Sequence, residues 1–131
     1  MGIPVKLVPG MSFIEQLYAT LKIDPEEGLI ILNASRIVEM PEKYEFNPKL
    51  GCLIGQVGLP IGAKPTSRKF NLGPLANLLE KKYPHNHPAI IARCVGFPSY
   101  EMETREITVK QIASQTDFIN NLTSLYIPPI D

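Results

Sequence analysis

The chain lacks an excess of charge of either sign, because its 131 residues contain 13 Lys and Arg and 13 Asp and Glu. Nucleic-acid-binding domains are commonly basic, so this overall balance does not itself indicate such a partner. The chain also lacks the low hydropathy and high net charge of disordered proteins, since 44% of its residues are hydrophobic and 20% are charged. The composition therefore predicts a folded, globular protein.

Cysteine is scarce, and the first residues do not predict export. Cys52 and Cys94 both lie in apolar runs, so we expect reduced, buried thiols rather than a disulfide. The first residues do not show an apolar core of signal-peptide length behind a basic start. From these two features we expect a cytoplasmic protein.

Long apolar runs, internal repeats and low-complexity linkers are also lacking. The apolar run Leu50–Ala63 includes four glycines and a proline, whereas a membrane-spanning helix needs about 20 apolar residues. We therefore expect no membrane partner. A chain of 131 residues is long enough for one ordinary domain and too short for two. We expect residues 1–131 to form a single globular domain.

The hydrophobic patterns predict eight short elements in the order β, α, β, β, α, β, β, α. The first helix is predicted to follow a capping box formed by Ser12 and Glu15. A long strand is predicted to bend sharply at Asn33. The predicted bounds are strand Ile3–Val8, helix Phe13–Lys22, bent strand Gly28–Met40, strand Leu50–Leu59, helix Pro74–Tyr83, strands Ala89–Phe97 and Thr104–Gln111, and helix Asp117–Tyr126.

This order fits two α+β architectures. If the first strand and helix are an appendage and the region of Phe70 adds a short strand, the rest matches an OB-like partly open β-barrel with flanking helices. If the first strand belongs to the sheet, the order matches a ferredoxin-like βαββαβ fold with an added strand and helix. The bend at Asn33 and the clean strand at Glu106–Lys110 favour the barrel slightly.

The charges balance overall, but basic and acidic residues are unevenly distributed along the chain. The segment from Lys49 to Cys94 holds seven basic residues and one acidic residue, Glu80, so both flanks are acidic. A basic segment of this kind is typical of a surface that binds phosphate groups. The predicted ligand-binding residues are Lys64, Arg68, Lys69, Lys81, Lys82 and Arg93.

Motifs for catalysis, cofactors and metals are weak. The loop from Gly58 to Lys64 resembles a phosphate-binding loop, but its spacing is one residue short and no Ser or Thr follows the lysine. His85, His87 and Cys94 have zinc-ligand chemistry without an evident fourth ligand. Paired carboxylates in apolar surroundings are also missing. The sequence therefore predicts no catalytic residue, no cofactor and no metal. Metal binding by His85 and His87 is left as an alternative.

Arg93 interrupts an apolar strand, where an unpaired buried guanidinium would be costly. We expect its partner to be a structural carboxylate such as Glu106 in the next strand, with a ligand phosphate as the alternative.

The leading hypothesis is a non-enzymatic domain that binds single-stranded DNA or RNA through the basic segment. Phe70, Tyr83 or Tyr100 would stack on bases. One alternative is a homo-oligomeric interaction module in which acidic flanks of one copy meet the basic segment of another. A second is a small enzyme or a protein that binds a nucleotide or another phosphorylated small molecule, because the glycines of the second predicted strand, Gly51, Gly55 and Gly58, permit close approach.

Overall fold

The computed structural model of the chain describes residues 9–57, 72–95, 101–120 and 122–130. Within these ranges the chain forms three helices and five strands, together with three short 3-10 turns. The bounds are α1 Pro9–Leu21, β1 Leu29–Asn33, α2 Ala34–Glu39, β2 Gly51–Gly55, α3 Gly73–Glu80, β3 Pro88–Val95, β4 Glu101–Thr108 and β5 Thr123–Ile127, with 3-10 turns at Pro25–Glu27, Val109–Ser114 and Thr116–Phe118.

The five strands form one open, mixed sheet in the order β1-β2-β5-β3-β4. β1 and β2 are parallel, and every other neighbouring pair is antiparallel. The strands β1, β2 and β3 therefore run in one direction, and β4 and β5 run in the other. This arrangement confirms the predicted α+β class. The predicted strand Ile3–Val8 and the short strand near Phe70 lie outside the described residues.

Helices cover both faces of the sheet. On one face α1 packs through Leu17, which is buried with Leu53 of β2 and Ala92 of β3. The larger cluster on the other face includes Ile37 of α2 and Leu79 of α3, both fully buried. None of the helices in the described ranges combines the length and the apolar character needed to cross a bilayer.

The prediction of α1 is confirmed, but the predicted first residue, Phe13, is wrong. The helix begins at Pro9, so Ser12 lies inside it and does not cap it. Proline is well suited to a first helical turn because it lacks the N–H that would have no partner there. β2, α3, β3 and β4 are also confirmed, with ends shifted from the predicted ones.

The predicted bend of one long strand at Asn33 is wrong, because Asn33 ends β1 and caps α2. Its side-chain Oδ1 accepts hydrogen bonds from the backbone N–H groups of Ser35 at 3.0 Å and Arg36 at 3.3 Å. Asparagine is among the best N-cap residues for this reason. The β-branched Ile37 and Val38 suggested a strand, but helical spacing lets Ala34 and Ile37 face the core together.

The predicted helix Asp117–Tyr126 is also wrong. The segment contains a 3-10 turn and then β5, which lies between β2 and β3 at the centre of the sheet. Four of the five residues of β5 are buried. Because a short strand that is buried on both faces lacks a two-residue alternation of apolar and polar residues, its pattern cannot be distinguished from that of a buried helix.

Candidate ligand site at the ends of β1 and β2

The carboxyl ends of β1 and β2 lie side by side because these two strands are parallel. Asn33, the last residue of β1, is in register with Gly55, the last residue of β2. Gln56 follows directly. We call Asn33, Gly55 and Gln56 the strand-end site.

Gly55 has space for a side chain among the described residues. Within them, a Cβ atom at Gly55 would meet only the backbone oxygen of Leu32, at 3.9 Å. At Gly51 a Cβ atom would instead lie 3.0 Å from the hydroxyl oxygen of Tyr126. Packing therefore explains the glycine at position 51, whereas no close contact with a described residue requires the glycine at position 55.

The amides of Asn33 and Gln56 define the polar part of the site. Asn33 Nδ2 donates a hydrogen bond to Gln56 Oε1. Gln56 is exposed and adopts a left-handed backbone conformation with φ of 57°. For a residue with a side chain this conformation costs about 1–2 kcal/mol. Such strain is concentrated at ligand-binding and active sites.

Two exposed apolar side chains lie on or next to the strands near this site. Ile31 of β1 is 49% exposed. Leu122, which is 48% exposed, precedes β5 at the same end of the sheet, since the N–H of Val57 donates to the carbonyl of Thr123 at 3.2 Å. These described side chains are uncharged, so they offer amide hydrogen bonds and apolar contacts to a ligand.

The predicted cations are only partly described. Lys64, Arg68 and Lys69 lie outside the described residues, as do Phe70 and Tyr100. Lys81 and Lys82 lie together after the end of α3. Lys82 Nζ is 3.5 Å from Glu45 Oε2 and lies over the Phe46 ring at 4.6 Å.

Arg93 lies apart from these two lysines, near the far end of β3. Its guanidinium is 2.6 Å from Glu103 of β4, so the expected structural carboxylate in the next strand is present. The prediction of Glu106 as the partner of Arg93 is wrong, because the strand register places Glu103 opposite Arg93. The structure thus brings Lys81 and Lys82 together but does not bring Arg93 to them.

The aromatic and histidine candidates near the start of β3 contact one another. Tyr83 is only 3% exposed and stacks on the ring of His87, with the centroids 5.1 Å apart. His87 Nε2 is 2.7 Å from the carbonyl oxygen of Pro128. His85 Nε2 is 3.6 Å from Glu80. Among the described residues, the histidines belong to no cluster of three or more metal-ligating side chains.

Both cysteines are free and buried, as the sequence predicts. Burial raises the pKa of the Cys52 thiol to about 12, against a weaker opposite effect of the Lys82 charge. Burial also raises the pKa of Cys94. Both thiols are therefore protonated at neutral pH and are poor nucleophiles.

The chain resembles two curated proteins along almost its whole length, although no family model matches it. It is 26% identical over 133 residues to the methyltransferase and ribosomally synthesized cyclic peptide lentinulin A precursor ledMA of Lentinula edodes, covering 98% of this chain and 32% of that protein. It is 29% identical over 129 residues to the uncharacterized protein YabN of Bacillus subtilis strain 168, covering 98% of this chain and 23% of that protein. The chain thus spans a third or less of the length of these relatives.

Proposed function

We propose that this chain is a ligand-binding part of a methyltransferase, and that the strand-end site contacts the methyl donor or the methyl acceptor. The observation that carries this proposal is the unfilled space beside Gly55. The reaction class comes from the similarity to the methyltransferase precursor, which extends over 98% of the chain.

The position of the space supports the proposal. In open α/β sheets, ligands bind outside the carboxyl ends of parallel strands. β1 and β2 form such a pair, and their ends present Asn33, Gly55 and Gln56. The uncharged amides would donate and accept hydrogen bonds, while Ile31 and Leu122 would cover apolar parts of the ligand. The role of these residues is to bind and orient, which accelerates a transfer between two bound reactants.

Calorimetric titration with S-adenosylmethionine and S-adenosylhomocysteine tests this proposal. We expect saturable binding of at least one of them to the wild-type chain. The variant Gly55→Val fills the space and should lower the affinity at least about tenfold, which corresponds to about 1.4 kcal/mol. Thr104→Val, in the exposed part of β4, is the matched control. The proposal fails if neither compound binds, or if Gly55→Val binds as the wild type does.

Binding of single-stranded nucleic acid stays a prediction, as do the OB-like and ferredoxin-like alternatives within the α+β class. Nucleic-acid binding would depend on Lys64, Arg68, Lys69 and Lys81, because Lys82 and Arg93 are paired with carboxylates. Titration of labelled oligothymidylate at roughly 50 and 200 mM salt tests it, since phosphate contacts make affinity fall steeply with salt. The absence of oligonucleotide binding at the lower salt concentration would refute this prediction.

Light scattering at both salt concentrations tests the self-association alternative.

A further inference from the structure

A groove of about 500 Å³ lies between α2 with its following loop and α3. It shares no residue with the strand-end site. We propose that this groove binds a small organic anion, with a flat apolar body and one acidic group. This inference is independent of the proposed methyltransferase function.

The floor of the groove is apolar. Val38 of α2 and Leu78 of α3 line it from the two helices, with Ile37 of α2 beneath them. Ile37 is fully buried, whereas Val38 and Leu78 are half-buried and pack against the main core cluster. Tyr44 adds an aromatic ring from the loop after α2. This lining suits the body of a flat, apolar molecule.

Two cations lie at one end of the groove. Lys81 is exposed, and no carboxylate of the described residues lies within 4.0 Å of its ammonium group. Lys82 pairs with Glu45, which is the single carboxylate among the described residues that line the groove. One positive charge is therefore left uncompensated beside the apolar floor. An acidic group of a ligand would receive charge-assisted hydrogen bonds from Lys81.

The size of the groove favours a small molecule. Its volume of about 500 Å³ lies within the range of roughly 300–1,000 Å³ that is typical of pockets for small ligands. Such pockets combine a mainly apolar lining with a few polar groups that fix the orientation of the ligand. Asn77 on the rim supplies a neutral polar group in addition to the two lysines.

A pair of fluorescent probes separates the contribution of charge from that of the apolar floor. The anionic probe is 8-anilino-1-naphthalenesulfonate, and the neutral probe is N-phenyl-1-naphthylamine, which has the same ring system without the sulfonate. We expect the wild-type chain to bind the anionic probe more tightly. Lys81→Gln should weaken its binding about fivefold, the effect of roughly 1 kcal/mol of electrostatic attraction. The same variant should change the affinity for the neutral probe less than about twofold.

Two further variants complete the test. Asn77→Phe fills the groove from an exposed position and should weaken the binding of both probes. Lys110→Gln removes an exposed lysine on the 3-10 turn after β4 and should change neither. The proposal is overturned if the anionic probe does not bind, if Lys81→Gln does not weaken its binding, or if Lys110→Gln weakens it equally. Because the groove shares no lining residue with the strand-end site, these outcomes are separate from those of the S-adenosylmethionine titration.

Discussion

The guanidinium of Arg93 lies 4.2 Å from the centre of the Phe118 ring, and the guanidinium of Arg105 lies 4.4 Å from the same centre. Two cations thus contact one buried aromatic ring. Arg93 also donates to the Phe118 carbonyl at 3.1 Å and is paired with Glu103. These contacts join β3 and β4 to the 3-10 turn before β5. They show Arg93 in a structural role.

Replacing Arg93 should therefore destabilise the fold. Arg93→Met keeps most of the apolar stem but removes the ion pair, the hydrogen bond and the contact with the ring. We expect the free energy of unfolding to fall by about 1–2 kcal/mol, measured by urea denaturation. The matched control is Lys49→Met, at an exposed loop position, which should change it by less than about 0.5 kcal/mol. Equal effects of the two substitutions would contradict this role.

Gly28 and Gly55 should respond differently to alanine. Gly28 has φ of 104°, and a Cβ there would lie 2.8 Å from Leu50 Cδ2. Gly28→Ala should therefore lower the free energy of unfolding by at least about 1 kcal/mol. Gly55→Ala meets no close contact and should be neutral or slightly stabilising. Thermal melts of both variants test this contrast, and an equal loss of stability would show that the space beside Gly55 is not open.

The cap of α2 can be tested by two substitutions of Asn33. Asn33→Ala removes the acceptor of the Ser35 and Arg36 N–H groups and should cost about 1 kcal/mol. Asn33→Asp keeps that acceptor and loses only the donor to Gln56, so it should retain most of the stability. Urea denaturation gives both values. If Asn33→Asp were as destabilising as Asn33→Ala, the contact with Gln56 would be the dominant contribution.

The buried thiols make stability depend on alkaline pH. The pKa of Cys52 rises from 9.0 to about 12 in the folded chain, chiefly through burial. Its contribution is therefore fully present below pH 9 and is lost as the pH rises towards 12. Burial raises the pKa values of Tyr83 and Tyr126 in the same direction. We expect the free energy of unfolding to fall above pH 9 by on the order of 1 kcal/mol per pH unit.

Urea denaturation between pH 8.5 and about 10.5 measures this dependence, and Cys52→Ala should make it shallower. A thiol-specific reagent provides a second measurement. At pH 8 both Cys52 and Cys94 should react much more slowly in the folded chain than in urea. An unchanged slope in Cys52→Ala, with rapid labelling of the folded protein, would contradict the assignment.

Helices and strands with a clear hydrophobic pattern were predictable from the sequence. Elements whose conformation depends on contacts outside the segment were not. The apolar stripe of α1 and the apolar runs of β2 and β3 identified these elements without any knowledge of their partners. The segments of α2 and β5 are short, and their apolar residues fit both helical and extended patterns. For α2 the cap at Asn33 decides the outcome, and for β5 the pairing with β2 and β3 decides it.

The candidate site was less accessible to sequence reasoning. The uneven distribution of charge along the sequence predicts a basic ligand site. In the structure, however, the predicted cations Lys82 and Arg93 are paired with carboxylates that are distant in sequence. The strand-end site arises from the parallel pairing of β1 and β2, which no local pattern encodes. One available signal was the polar residue at the end of each apolar run, namely Asn33 and Gln56. A second was the glycine before Gln56, which offered space for close approach.

The central position of β5 has a consequence for synthesis on the ribosome. In the described part of the chain, β5 (Thr123–Ile127) is the strand that hydrogen-bonds both to the β1-β2 pair and to the β3-β4 pair. Until those residues leave the exit tunnel, each pair presents an unpaired inner edge on which another nascent chain could add a strand. Assembly of the complete sheet must therefore await the translation of Thr123–Ile127, more than 60 residues after β2.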